Sequence, residues 1–191
     1  TRHVKKMYCV GLEDRGLDLL ADALIKGALA SLEELFLFRN NKIGDDGMQA
    51  LAGAVSKGAL PQLRVLNICN NRVGNAGIMS LADALSKGAL ASLKLLFLQN
   101  NQIGDDGLKA LALACASGAL ASCQKLFLNG NEIGDVGMIS LAKAITPDKN
   151  GKGALDKLEE LHLNFNEVGD VGMQALASAL SSGALAQLTR L

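Results

Sequence analysis

Two hydrophobic periods alternate along the chain. Leu63, Leu66 and Ile68, and again Leu93, Leu96 and Leu98, end in an every-second-residue pattern that predicts a strand with one face buried. Met48, Leu51, Ala52 and Val55 recur as Ile78, Leu81, Ala82 and Leu85, then as Leu108, Leu111, Ala112 and Cys115. That i, i+3, i+4, i+7 stripe predicts an amphipathic helix, and the repeated alanine lets it lie close to the strands. Between strand and helix stands an asparagine, followed after one residue by an aliphatic residue and a glycine. Asn41, Asn71, Asn101, Asn131 and Asn166 hold this place, at spacings of 30, 30, 30 and 35 residues. Asp45, Asn75, Asp105, Asp135 and Asp170 are expected to cap the helix starts. Gly58, Gly88, Gly118, Gly153 and Gly183 are expected to end the helices, and the Ala-Leu that follows returns the chain to the core.

A unit of one strand and one helix cannot bury its own apolar face, so repetition of this kind implies a stack. The predicted fold is an α/β solenoid with parallel strands, a single domain over 1–191. Residues 1–31 form a degenerate first unit with a strand near Lys5 to Cys9 and a helix from Leu17 to Ile25 closed by Gly27, but without the asparagine. Five regular repeats fill 32–187, and 188–191 open a further strand. A solenoid end without a polar cap exposes apolar surface, so the chain is expected to be a segment of a longer protein or to associate end to end with itself.

Two places break the period. Residues 146–152, with Pro147-Asp148-Lys149-Asn150-Gly151, lengthen one repeat by five. They lack the carboxylate series of a calcium loop and predict a solvated surface insertion. One extra residue between Leu32 and Asn41 leaves the register of that strand open: either Leu35 and Leu37 or Phe36 and Phe38 face inward, and a bulge would serve both.

The run Leu93-Lys94-Leu95-Leu96-Phe97-Leu98-Gln99-Asn100-Asn101-Gln102-Ile103-Gly104-Asp105-Asp106-Gly107, followed by Leu111-Ala112, resembles the ribonuclease-inhibitor subfamily of leucine-rich repeats. Ran GTPase-activating protein and intracellular immune sensors carry repeats of the same subfamily. The resemblance spans essentially Val10 to Leu191. It implies a horseshoe with parallel strands on the concave face and helices on the convex face. It also implies that the asparagine column turns inward to bond backbone groups, as a structural ladder. Members of the family differ in what they bind, so the resemblance points to fold far more than to function.

Composition narrows the function. Nineteen Lys and Arg balance nineteen Asp and Glu, which argues against long-range attraction to nucleic acid or to an anionic membrane. No apolar run is long enough to span a bilayer, and a cytoplasmic protein is expected. Cys9, Cys69, Cys115 and Cys123 lack the paired spacing of metal sites and are expected to be free thiols. His3 and His162 are the only histidines, and neither has a nucleophile context, so no catalytic residue, metal ligand or cofactor is assigned. The acidic pairs Asp45-Asp46 and Asp105-Asp106 fit helix starts better than metal chemistry, and Lys26, Lys57 and Lys87 suit helix ends.

The strand positions between the inward leucines remain. Asn67, Phe97, Phe127 and His162, with Phe36 if Leu35 and Leu37 face inward, are expected to line the inner wall, flanked by Phe38, Val65, Cys69, Leu95, Gln99, Lys125, Asn129, Glu160 and Asn164. All six aromatic residues, Tyr8, Phe36, Phe38, Phe97, Phe127 and Phe165, fall on or beside strands. An apolar centre with a polar border is the anatomy of a protein-binding patch, although stacking on adjacent strands would also stabilise the sheet. The expected function is non-catalytic binding of a protein or peptide on the concave face. The alternatives are a GTPase-activator-like regulator, for which no residue can be assigned by position, and a structural spacer.

Overall fold

A computed structural model describes residues 3–191. Strands and helices alternate as β1 (Lys6–Tyr8), α1 (Asp14–Ile25), β2 (Glu34–Phe36), α2 (Asp45–Ser56), β3 (Val65–Asn67), α3 (Asn75–Ser86), β4 (Leu95–Phe97), α4 (Asp105–Ala116), β5 (Lys125–Phe127), α5 (Asp135–Ile145), β6 (Glu160–His162) and α6 (Asp170–Ser181). Among the described residues the strands form one six-stranded sheet in chain order, every pair parallel. Each helix packs on the helices of the neighbouring units. Parallel strands sit about 4.8 Å apart and packed helices about 8–10 Å apart, so the stack must curve with its sheet on the inside. The short strands therefore line the concave wall.

The middle residue of each strand from β2 to β6, Leu35, Leu66, Leu96, Leu126 and Leu161, points into one continuous core. Leu51, Leu81, Leu111 and Leu141 meet them from the helices. Cys115 and Cys123 replace aliphatic residues in that core, and burial pushes both thiols up to about 12. They are packing residues rather than nucleophiles.

Asn101 shows how consecutive units are tied. Its Nδ2 donates to the carbonyls of Ile68 (3.1 Å) and Leu98 (3.0 Å), while Oδ1 accepts from Val73 N–H (3.0 Å). Asn131 and Asn166 repeat these bonds one unit further on each time. Removing such a side chain leaves buried backbone groups without partners. Asn101→Ala is expected to lower unfolding free energy by roughly 1–3 kcal/mol. An unchanged urea midpoint would refute the ladder as a source of stability.

The first ladder position corrects the sequence reading. Asn40, not Asn41, is buried and makes the inward bonds, donating to Cys9 and Leu37 carbonyls and accepting from Leu12 N–H. Leu35 and Leu37 face the core, and the strand carries no bulge. The extra residue is Asn41 itself, exposed and left-handed at φ 55°, a conformation that asparagine tolerates. Its insertion shifts the following backbone. Asn71 Oδ1, whose counterparts bond an N–H of the preceding unit, is buried without a partner. Deleting Asn41 is expected to let Ile43 N–H reach Asn71 Oδ1 and raise stability by about 1 kcal/mol. A lower urea midpoint in the deletion variant would refute this account.

The helix starts also differ from expectation. The N-caps are Gly44, Gly74, Gly104, Gly134 and Gly169, and none has a side-chain cap. Asp45, Asn75, Asp105 and Asp135 are instead first helical residues whose Oδ1 reaches forward to the next helix. Asp105 Oδ1 accepts from Gly134 N–H (2.7 Å) and Gly137 N–H (2.9 Å), and Asp45, Asn75 and Asp135 do the same one unit apart. Asp14 opens this second ladder on Gly44 and Gly47. From α2 to α6, two N–H groups at each helix start are thus satisfied by the preceding helix.

The expected closures hold at Gly58, Gly88, Gly118 and Gly183, all left-handed, but not at Gly153. There α5 stops at Ile145, and Thr146 leaves it in an extended conformation. The insertion folds on Asp148, whose carboxylate accepts from the N–H groups of Asn150 and Lys152, holding its own acidity above that of an ordinary aspartate. Ala154 N–H returns to the carbonyl of Ala144.

Candidate functional site

The concave wall carries three columns of side chains, one per outward strand position. The central column runs Tyr8, Phe36, Asn67, Phe97, Phe127 and His162, each opposite the next in the parallel register. Strand spacing brings successive rings face to face. Phe97 and Phe127 stack with centroids 4.8 Å apart and planes 11° apart, and the His162 ring tilts against Phe127 at 4.4 Å. Tyr8 stacks on Phe36 at 4.5 Å and 3°, so Asn67 stands between two aromatic groups. Phe36, Phe97 and Phe127 stay half-buried, and Tyr8 is 60 % exposed. The stack satisfies part of each ring's surface and leaves the outer edges to solvent.

The column beside it is charged at both ends. Lys6 pairs with Glu34 (3.0 Å), Val65 and Leu95 follow, and Lys125 pairs with Glu160 (2.7 Å), which Arg190 approaches at 3.5 Å. The Lys125 hydrogen bond, opposed by partial burial, holds the Glu160 carboxyl below the ordinary glutamate range. A carboxylate with a depressed pKa adds stability above its unfolded pKa and loses it as pH falls through the folded value. In Lys125→Met, Glu160 is expected to titrate at higher pH than in the parent. An unchanged NMR titration of its carboxyl carbon would transfer the effect to Arg190.

The third column holds Phe38, Cys69, Gln99, Asn129 and Asn164. Phe38 meets Phe36 edge-on at 6.2 Å, Gln99 and Asn129 are half-buried, and Asn164 is exposed. Cys69 departs from expectation: it is 7 % exposed. Asn67 Oδ1 bonds its N–H and Asn70 Nδ2 lies 3.3 Å from its Sγ, so neighbouring side chains cover it. Two polar atoms on this wall, Gln99 Oε1 and His162 Nε2, are buried without a hydrogen bond, the latter 3.6 Å from Glu160 Oε2.

Sequence reasoning left Tyr8, Lys6, Glu34 and Arg190 out of the site. Tyr8 falls 28 residues before Phe36, off the 30-residue spacing, and the other three are visible only as cross-strand partners. Phe165 sits beyond the strand in a left-handed turn, 83 % exposed, outside the stack. Among the described residues no cluster of His, Cys, Asp and Glu is arranged to hold a metal ion.

The Leucine Rich repeat family profile matches residues 28–52, 60–82, 89–112, 124–142 and 156–177, together more than half of the chain. The chain belongs to the leucine-rich repeat family. Among solved structures, this leucine-rich repeat chain is similar to an internalin (inlF) from Listeria monocytogenes, at 20 % identity and a TM-score of 0.46, over 97 % of the chain and 52 % of the internalin. It is also similar to TLR13 in a TLR13–ssRNA13 complex, at 17 % identity and a TM-score of 0.31, over 100 % of the chain and 32 % of that protein. The chain therefore spans about half of the internalin's length and about a third of TLR13's. No curated protein sequence matches it. Among the described residues no helix of this leucine-rich repeat chain is long and apolar enough to cross a membrane.

Proposed function

We propose that this chain is a non-catalytic interaction module that holds a protein or peptide against its concave strand face. The observation that carries this reading is the row Phe97, Phe127 and His162, stacked in register with its ring edges open and bordered by the Lys125–Glu160 pair. Aromatic side chains held rigid by their neighbours lose little entropy when a partner covers them, which favours them as anchors. Gln99 Oε1 and His162 Nε2 add a second support, because they are polar atoms of this same face left without a hydrogen-bond partner within the chain. Balanced charge over the whole chain favours a partner recognised by local fit, which argues for protein over nucleic acid.

The ribonuclease-inhibitor-like assignment belongs to the same reading and rests on helices of three turns following each strand at mostly 30-residue spacing. Four buried, unpaired thiols favour a reducing, cytoplasmic setting. The test is competition: peptides selected on the immobilised chain are challenged with soluble parent and with a variant altered at Phe97 and Phe127. Competition by the parent alone supports the concave face, and equal competition by both overturns it.

A further inference from the structure

The five-residue insertion does more than lengthen a loop. In the regular units the left-handed glycine turns the chain straight back, and the next alanine N–H bonds the helix, as Ala119 does to the Ala114 carbonyl at 3.0 Å. After α5 the chain instead runs outward through Thr146 and Pro147, turns on Asp148, and returns at Gly153. A groove of about 760 Å³ opens between this wall and the C-terminal end of α4. Its volume falls within the range of about 300–1,000 Å³ usual for small-molecule sites.

The wall is built rather than loose. Thr146 Oγ1 bonds the Ala142 carbonyl at 2.7 Å, Asp148 N–H bonds the Lys152 carbonyl at 2.9 Å, and Gly151 N–H bonds the Asp148 carbonyl at 2.8 Å. Gly153 passes so close to α5 that a Cβ there would meet the Ile145 carbonyl oxygen at 2.3 Å. The floor is apolar, with Leu113, itself 64 % exposed, as its largest exposed side chain. The rim is cationic. Lys109, Lys143, Lys152 and Lys157 line it, and among the described residues none of them forms a salt bridge. Two acids line it as well: Asp148, held ionised by its own turn and attracted to Lys152, and Asp156, so four lysines against two aspartates leave a formal excess of two positive charges.

We propose that this groove on the helical, convex side binds a small amphipathic anion: a ligand with an aliphatic body of fatty-acid size and one carboxylate or comparable anionic head. The body covers Leu113 and the alanines of the floor, and the head is held between the rim ammonium groups. Neither half suffices alone, since exposed lysines bind simple anions weakly and an uncharged chain leaves the cations unmatched. The site is independent of the concave face.

Dodecanoate below its micellar concentration is the probe, titrated by calorimetry into the intact chain. One saturable equivalent is expected, weakened at least tenfold when the head is an alcohol and lost when it is trimethylammonium. Lys143→Glu with Lys152→Glu should weaken dodecanoate at least tenfold, and deletion of 147–151 should abolish its binding with the circular-dichroism spectrum retained. Lys26→Glu with Lys57→Glu, at the C-caps of α1 and α2 and outside the groove's lining, should leave it unchanged. Should the deletion variant misfold, the lysine pair decides alone. Equal affinity for all three heads, more than one equivalent, no saturable binding, or undiminished binding by the Lys143/Lys152 variant would overturn the proposal.

Discussion

Gly137→Ala is expected to destabilise the chain by about 3 kcal/mol, although alanine in a helix ordinarily gains up to about 1 kcal/mol over glycine. A Cβ at Gly137 would lie 2.7 Å from Asp105 Oδ1 and 3.1 Å from Asp105 Cα. The carboxylate cannot yield without releasing the Gly134 and Gly137 N–H groups it accepts from, and the second contact is backbone. The cost therefore combines a separation of two adjacent helices with two lost charge-assisted hydrogen bonds. Gly53→Ala is the matched control, because Gly53 is an exposed residue of α2 with nothing within 4 Å of its would-be Cβ. It should gain roughly 0.5–1 kcal/mol. Urea midpoints moving the same way for both variants would refute the forward-reaching Asp ladder. Asp105→Asn should cost far less than Gly137→Ala, since Asn75 fills the same role one unit earlier with a neutral oxygen.

That ladder marks where the sequence stopped being legible. An acceptor side chain at each helix start is plain from the period, and so is a glycine two residues later. Which helix the acceptor caps is not, because a carboxylate at Asp105 stands near the N-termini of both α4 and α5, and a repeat period cannot tell a unit from its neighbour. The Asn40-Asn41 pair failed for a related reason. Two adjacent asparagines offer the same side chain to one inward slot, and only the buried positions of Leu35 and Leu37 select Asn40. Strand order, parallel pairing and the central column at Phe97, Phe127 and His162 followed directly from counting, since strands in register convert equal sequence positions into adjacent rings. Cys69 did not, because its cover comes from Asn67 and Asn70 folding over it, an event with no period.

Phe97→Ser with Phe127→Ser is expected to weaken binding of a peptide selected on the immobilised chain by much more than tenfold, with the circular-dichroism spectrum nearly unchanged. Each ring is half-buried, so its removal costs the fold only the stacked face, whereas a covering partner loses the whole open edge. Anchors of this type contribute about 2 kcal/mol or more each, and a factor of ten corresponds to about 1.4 kcal/mol. The two sit on adjacent strands under one partner, so their effects need not add, but even partial additivity exceeds tenfold. Lys57→Ala with Lys87→Ala, on the helix ends of the opposite side, should change that affinity little, because both ammonium groups are solvated and Lys87 already pairs with Asp83. Loss of binding in the lysine pair with retention in the phenylalanine pair would place the working surface on the helices. In that outcome the stacked rings would be a device for holding six short strands together and nothing more.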